Sequence, residues 1–178
     1  MTPKKMISTA KTRMSPANEL TRDQIDLYFM KKAFLLAKQA LLIDEVPIAA
    51  IVVDANNRII SQAHNLRETK QTVLGHAEII ATHLACKKRK SWRLNDCTLY
   101  VTLEPCFMCA GALVQSRFQR VVFASHDPKG GALQSLASLG SDTRLNHQFD
   151  VSSGVFANEC SQLLKSFFKN KRKIKKGK

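Results

Sequence analysis

Between Cys97 and Ser125 the chain reads strand, helix, strand: "CTLYVTL" is a short apolar run, "CFMCAGALVQS" a compact helix and "QRVVFAS" a second apolar run. Strands and helices that take turns bury one sheet between helices packed on its faces. The upstream sequence fits the same plan. "TRDQIDLYFMKKAFLLAKQAL" opens with Thr21 and Gln24 at capping-box spacing and repeats apolar residues at Ile25, Phe29, Ala33, Leu36 and Ala40, which predicts an amphipathic helix. "IAAIVVDANNRIISQAHN" is two β-branched runs joined by Asp54, Ala55, Asn56 and Asn57, the composition of an antiparallel hairpin. A helix over 76–88 draws its face from Ile79, Ile80, His83 and Leu84, and "ANECSQLLKSFFKN" is a last helix with apolar Cys160, Leu163, Leu164, Phe167 and Phe168. The Gly- and Ser-rich stretch from Asp127 to Gln148 reads as irregular. The expected class is α/β, a mostly five-stranded sheet with helices on its faces.

A chain of 178 residues suits one domain, and no apolar run approaches the ~20 residues needed to span a bilayer. The net charge of +14 lies at the ends. Residues 1–13 and 165–178 hold twelve of the 28 cations and no acid, leaving sixteen cations against all fourteen acids between them. Three segments follow: a basic N-terminal extension over 1–20, a domain over 21–168 and a basic tail over 169–178. Basic ends on a near-neutral body suit a polyanionic partner, nucleic acid before anionic membrane, or else a solubilising tail. Lys169, Lys171, Arg172 and Lys173 are the candidate contacts to RNA phosphates. Five cysteines without a continuous apolar leader point to a reducing compartment, the cytoplasm. "MTPKKMISTAKTRMSP" also has the composition of an organellar transit peptide, and Met14 is an alternative start. A second basic cluster, "CKKRKSWR" over 86–93, suits an RNA contact, a nuclear signal or a solvated helix end whose cations face the negative pole of the helix dipole.

The pair Cys106 and Cys109 in "EPCFMC" suits a metal site, a dithiol redox pair or two small residues on one helix face. The stretch "GHAEII", thirty residues upstream, narrows the choice. His76 with Glu78, followed by Pro105-Cys106-x-x-Cys109, is the pattern defined on zinc-dependent nucleobase deaminases themselves, so it identifies by resemblance as well as by chemistry. One imidazole and two thiolates give Zn²⁺ three protein ligands and leave a fourth position open for water. Pro105 suits the first turn of a helix and puts both cysteines near its positive end, which favours thiolates. Within a helix, residues two apart diverge by about 200°, so His76 and Glu78 both address a metal only from a helix N-terminus, where Gly75 fits the start. Glu78 is then the catalytic carboxylate, moving protons between the activated water, the ring nitrogen and the leaving amine. The remaining Cys86, Cys97 and Cys160 read as small core residues.

"PIAAIVVD", "AHNLRET", "GHAEII", "TLYVTLEPCFMCAGALVQSR", "RVVFASHDPKGGA", "LNH" and "FFKNKRK" resemble, in that order, the bacterial tRNA-specific adenosine deaminases of the cytidine-deaminase-like superfamily, over roughly residues 22–172. The resemblance implies a three-layer α/β/α sandwich with a mixed sheet, one Zn²⁺ per subunit on His76, Cys106 and Cys109, and a homodimer built on the region around Phe107, Met108, Leu113 and Val114. It implies conversion of adenosine to inosine at the wobble position of a tRNA anticodon stem-loop. It further implies that Asn65 hydrogen-bonds the flipped nucleoside, that Val46 and Pro47 wall the base pocket, and that Asp127 sits near the substrate strand. The chain departs from the family's Thr-Ala-His-Ala-Glu in having Leu74 and Gly75 before His76. The competing functions are deamination of a free base or nucleoside (cytosine, cytidine or guanine) and a non-catalytic RNA-binding module with a structural zinc. The basic C-terminal helix opposes the first and Glu78 the second.

Overall fold

The capping box closes as its spacing predicts. The Gln24 N–H donates to the Thr21 hydroxyl at 3.3 Å, the Gln24 side chain accepts from the Thr21 N–H at 2.9 Å, and α1 runs over Arg22–Leu41. The computed structural model describes residues 20–176. The expectation of a basic extension over 1–20 therefore falls, Leu20 apart, outside the described residues. After α1 come β1 (Ala49–Val53) and β2 (Ile59–His64), joined by the turn expected at Asp54 to Asn57, whose Asp54 carboxylate accepts from the Asn56 and Arg58 N–H groups at 2.9 Å each. Short α2 (Arg67–Lys70) and a 3₁₀ turn (Val73–Gly75) lead into α3 (Ala77–Arg89). Then follow β3 (Thr98–Leu103), α4 (Phe107–Gln115), β4 (Arg120–Ser125), β5 (Asp150–Ser153) and α5 (Ala157–Lys176).

The five strands form one mixed sheet in the order β2-β1-β3-β4-β5, with β1 antiparallel to both neighbours and β3, β4 and β5 parallel. Alternation along each strand divides the core. Ala50, Val52, Leu99, Val101, Val121 and Phe123 face the side covered by α3 and α4, whereas Ile51, Val53, Tyr100, Val122 and Ala124 face Phe29, Met30 and Ala33 of α1 and Cys160 of α5. This is the three-layer α/β/α sandwich. Each large side chain wholly removed from water, such as Phe118, Phe123 or Leu99, contributes roughly 1.5–3 kcal/mol.

The structure departs from the sequence reading at several places. In α3 the expected face of Ile79, Ile80, His83 and Leu84 is not the buried one. His83 and Leu84 are exposed, the two isoleucines are half-buried, and the residues against the sheet are Ala77, Glu78, Ala81, Thr82 and Ala85. A ridge of alanines lets the helix lie close, so bulk at those positions would be overpacking. In α5 only Cys160 and Phe167 of the expected face are buried; Leu163 and Leu164 are half-buried and Phe168 is exposed. That helix also continues through Lys176, where apolar periodicity alone ends it near Asn170. Cys97 and Cys160 are buried core residues as expected, and Cys86 is half-buried against the same core. The 86–93 cluster is an exposed helix end: Lys87, Lys88 and Arg89 occupy the last turn of α3, Arg89 pairs with Asp96, and Arg93 stacks on the Trp92 ring at 4.1 Å. Among the described residues no helix is long and apolar enough to cross a membrane.

Candidate metal centre and substrate cleft

Two helices aim their N-termini at one point. His76 is the N-cap of α3, in extended backbone (φ −69°, ψ 140°), and Cys106 is the N-cap of α4 (φ −72°, ψ 172°). Their carbonyls accept the first helical bonds, from Ile80 at 3.0 Å and Ala110 at 2.8 Å. Pro105 therefore lies just before the cap and not in the first turn as expected, while Cys109 stands in that turn. Both sulfurs still lie at the positive end of the helix. Gly75 ends the 3₁₀ turn with the chain pressed on Arg67: a Cβ there would stand 2.6 Å from the Arg67 Cα. The departure to Leu74-Gly75 thus has a packing reason on the Gly75 side, and Leu74 is exposed.

His76 Nδ1 stands 3.7 Å from Cys106 Sγ and 3.4 Å from Cys109 Sγ. Tetrahedral N and S ligands at ~2.0 and ~2.3 Å from one Zn²⁺ would be about 3.5 Å apart, so the three donors fit a single ion. Their protonation fits too. The hydrogen bond from Cys109 holds Cys106 down to about 4, the same bond pushes Cys109 up, and the bond to Cys106 raises His76. These are protons shared among three donors, the ones that metal binding displaces. Glu78, in the first turn of α3, is buried, and desolvation raises its pKa against the opposing pull of its own N–H, His76 and the Cys109 thiol.

The donors open into a cleft at the C-terminal ends of β3 and β4, the customary edge for a site on parallel strands. Val46 and Asn65 line it as expected, and Asp127 stands at its rim. Pro47 is buried and is not among the lining residues; the wall is completed by Ile48, whose N–H donates back to the Val46 carbonyl at 2.7 Å in the turn before β1. Asn65 is held by a buried carboxylate, its Nδ2 donating to Glu45 Oε2 at 2.9 Å. Glu45 also accepts from the Thr69 N–H, and these hydrogen bonds outweigh burial to hold its pKa below the ordinary carboxylate value.

A tRNA-specific adenosine deaminase of Bacillus subtilis is 50% identical to the chain over 157 residues, which cover 88% of this chain and 95% of that protein. The chain belongs to the tRNA-specific adenosine deaminases. A second member, from Haemophilus influenzae, is 43% identical over 87% of this chain and 90% of its own. A family model described as MafB19-like deaminase matches residues 25–172. Among solved structures, one from studies of A-to-I editing by tRNA:A34 deaminases at the wobble position of transfer RNA superposes with a TM-score of 0.73 at 39% identity, covering 77% of this chain and 99% of that one.

Besides Ile48, sequence reasoning did not find four residues that shape this deaminase's cleft: Arg67, Leu103, Glu104 and Phe168. Glu104 had a signal, an acid closing an apolar strand inside the most specific motif. Phe168 had none, because in "FFKN" nothing in the pattern tells which phenylalanine is buried. Of the four basic residues assigned to RNA phosphates, Lys169, Arg172 and Lys173 are exposed on α5, whereas Lys171 pairs with Asp44 and lies 5.5 Å from the Phe167 ring. Lys171 ties the helix to the turn after α1.

Proposed function

We propose that this deaminase converts adenosine to inosine at the wobble position of a tRNA anticodon. The observation that carries the reading is that Phe168, on basic helix α5, lines the same cleft as His76, Glu78 and Cys106. A helix rich in cations is thereby fixed beside the reacting centre, where a stem-loop has phosphates and a free nucleoside has none. His76, Cys106 and Cys109 hold one Zn²⁺ per subunit, which when bound supplies a nucleophile at neutral pH by lowering the pKa of water towards ~7. Glu78 takes a proton from the attacking water and delivers it to the ring nitrogen beside C6. The second proton leaves on the amine as ammonia while the C6–N bond breaks and the C6–O bond forms. Asn65, fixed by Glu45, hydrogen-bonds the flipped nucleoside; Val46 and Ile48 flank the base, and Asp127 meets the entering strand. The enzyme works where its tRNA is, in the cytoplasm.

Incubating the purified protein with a panel of transcribed tRNAs, with inosine read by sequencing, tests this. Free adenosine, cytidine and guanine run alongside. Inosine at the wobble position of at least one tRNA is expected; deamination of the free compounds alone would overturn the reading.

The phosphate contacts have their own test. Replacing Lys169, Arg172 and Lys173 by alanine leaves Lys171 and its ion pair in place. The slope of log affinity for tRNA against log salt should become shallower by about 2–3, at ~0.7–0.9 per contact. Single-turnover deamination at saturating tRNA should barely change, because such contacts position and do no chemistry.

The homodimer is also proposed, on a narrower surface than the sequence suggested. Leu113 and Val114 belong to the chain's own core, whereas Phe107 is 51% exposed at the start of α4 and Met108 is half-buried. Phe107→Asp is expected to shift the protein from dimer to monomer in sedimentation at micromolar concentration. A wild-type monomer that is fully active would refute the assembly.

A further inference from the structure

Glu104, just after β3, has a buried carboxylate that pairs with no lysine or arginine among the described residues. It is satisfied from one loop. Its Oε1 accepts from the backbone N–H groups of Leu133 at 3.1 Å, Gln134 at 2.7 Å and Ser135 at 2.9 Å; its Oε2 accepts from the Asp127 N–H at 3.1 Å and from the Ser135 hydroxyl. His126 Nδ1 lies 3.5 Å away. The segment 126–135 is folded around this carboxylate much as a backbone nest folds around an anion. Two further contacts fix it to the turn that follows Glu104: Gly131 bridges Cys106, and the Ala132 N–H donates to the Pro105 carbonyl at 2.9 Å. Gly131 also packs directly on the anchor, since a Cβ there would overlap the Glu104 carboxylate.

Three consecutive residues thus connect two parts of the cleft. Cys106 faces the metal position, and Glu104, two residues earlier, holds the loop that brings Asp127 to the rim. We propose that Glu104 is a positioning residue for the RNA: it sets the Asp127 rim in register with the metal donors, so that a strand lying along the rim delivers its nucleoside to them. The proposal rests on the function given above and assigns Glu104 no contact with the reacting atoms.

The test uses the zinc-loaded, full-length protein and an anticodon stem-loop RNA. Glutamine at 104 offers one acceptor oxygen and turns an NH₂ group on the remaining donors. Glu104→Gln is expected to keep its zinc, to raise KM for the hairpin about tenfold, the scale of one hydrogen bond to a charged group, and to lower kcat by less than about threefold. A general loss of folded protein would lower the apparent kcat and leave KM alone. Gly131→Ala attacks the same contact from the loop side. With Glu104→Ala it makes a cycle in which each single change raises KM and the double change raises it no further, since the added methyl occupies space the carboxylate has left. If Glu104→Gln does not fold, Ser135→Ala removes one hydroxyl from the carboxylate and should raise KM by about threefold. Unchanged KM in folded, zinc-loaded variants, a fall in kcat alone, or effects that simply multiply in the double variant would each overturn the proposal. A wild-type protein that makes no inosine in the hairpin would sink the proposed function, and this proposal with it; an active wild type with variants of unmoved KM would sink the role of Glu104 alone.

Discussion

Glu78→Gln is expected to keep its metal and its RNA while losing turnover by at least ~10²–10⁴-fold, the usual worth of a general acid/base. Three features of the site set that expectation. Glu78 is only 5% exposed, so it cannot be replaced by a proton relay through bulk water. Burial raises its pKa, which makes its ionised form a better proton acceptor than a solvated carboxylate. Glutamine has nearly the same shape and carries no transferable proton, so the variant isolates chemistry from packing. Zinc content by elemental analysis, hairpin binding by filter retention and single-turnover inosine formation are the three measurements. A variant that came out metal-free would mean that Glu78 is a ligand, and the division of labour between it and the three donors would be wrong.

Cys109→Ala should abolish activity by abolishing zinc binding. Cys109 is fully buried in the first turn of α4, and its Sγ is 3.4 Å from His76 Nδ1, so alanine there removes one of the three donors from the cluster. The fold should persist, because Ala77, Ala81 and Ala85 of α3 and Ala110, Leu113 and Val114 of α4 are packed in the cluster on their face of the sheet without help from the donors. Thermal melting separates the cases. A ligand that binds only the native state stabilises it by about 2.7 kcal/mol at a hundred times its Kd, so a chelator should lower the melting temperature of the wild type and leave that of Cys109→Ala where it is. Full activity in a wild-type preparation stripped of zinc would dismiss the metal assignment for His76, Cys106 and Cys109 together.

What could be read from the sequence depended on whether the signal was local. The capping box of α1, the hairpin turn at Asp54 and the strands of β3 and β4 are encoded within a few residues, and they stand where the periodicity put them. The cluster of His76, Cys106 and Cys109, which could hold a metal, was legible because the chemistry needs particular residue types at particular spacings. The buried face of α3 was not, since a scan for large apolar residues favours Ile79 and Leu84, whereas the sheet is near enough that alanine is the residue that fits. Phe168 and Ile48 became visible only when α5 and the segment before β1 were brought to one cleft. The anchoring of Asp127 by Glu104 joins residues 23 apart through a loop whose composition says only that it is irregular.

The alanines of α3 have a consequence for how this protein tolerates change. Ala77, Ala81 and Ala85 repeat every four residues along the face that rests on the sheet, and the helix they seat carries His76 and Glu78 at its first turn. The distance between helix axis and sheet is therefore a spacer for the site: a bulkier side chain at Ala81 would lift the helix and tilt His76 and Glu78, which α3 presents, against Cys106 and Cys109, which α4 presents. Positions that touch no substrate and bind no ion would then show the same intolerance to substitution as the ligands themselves. Tolerance along α3 would follow the four-residue period of its contact with the sheet, with Leu84 and His83, bulky and facing water, freest to vary.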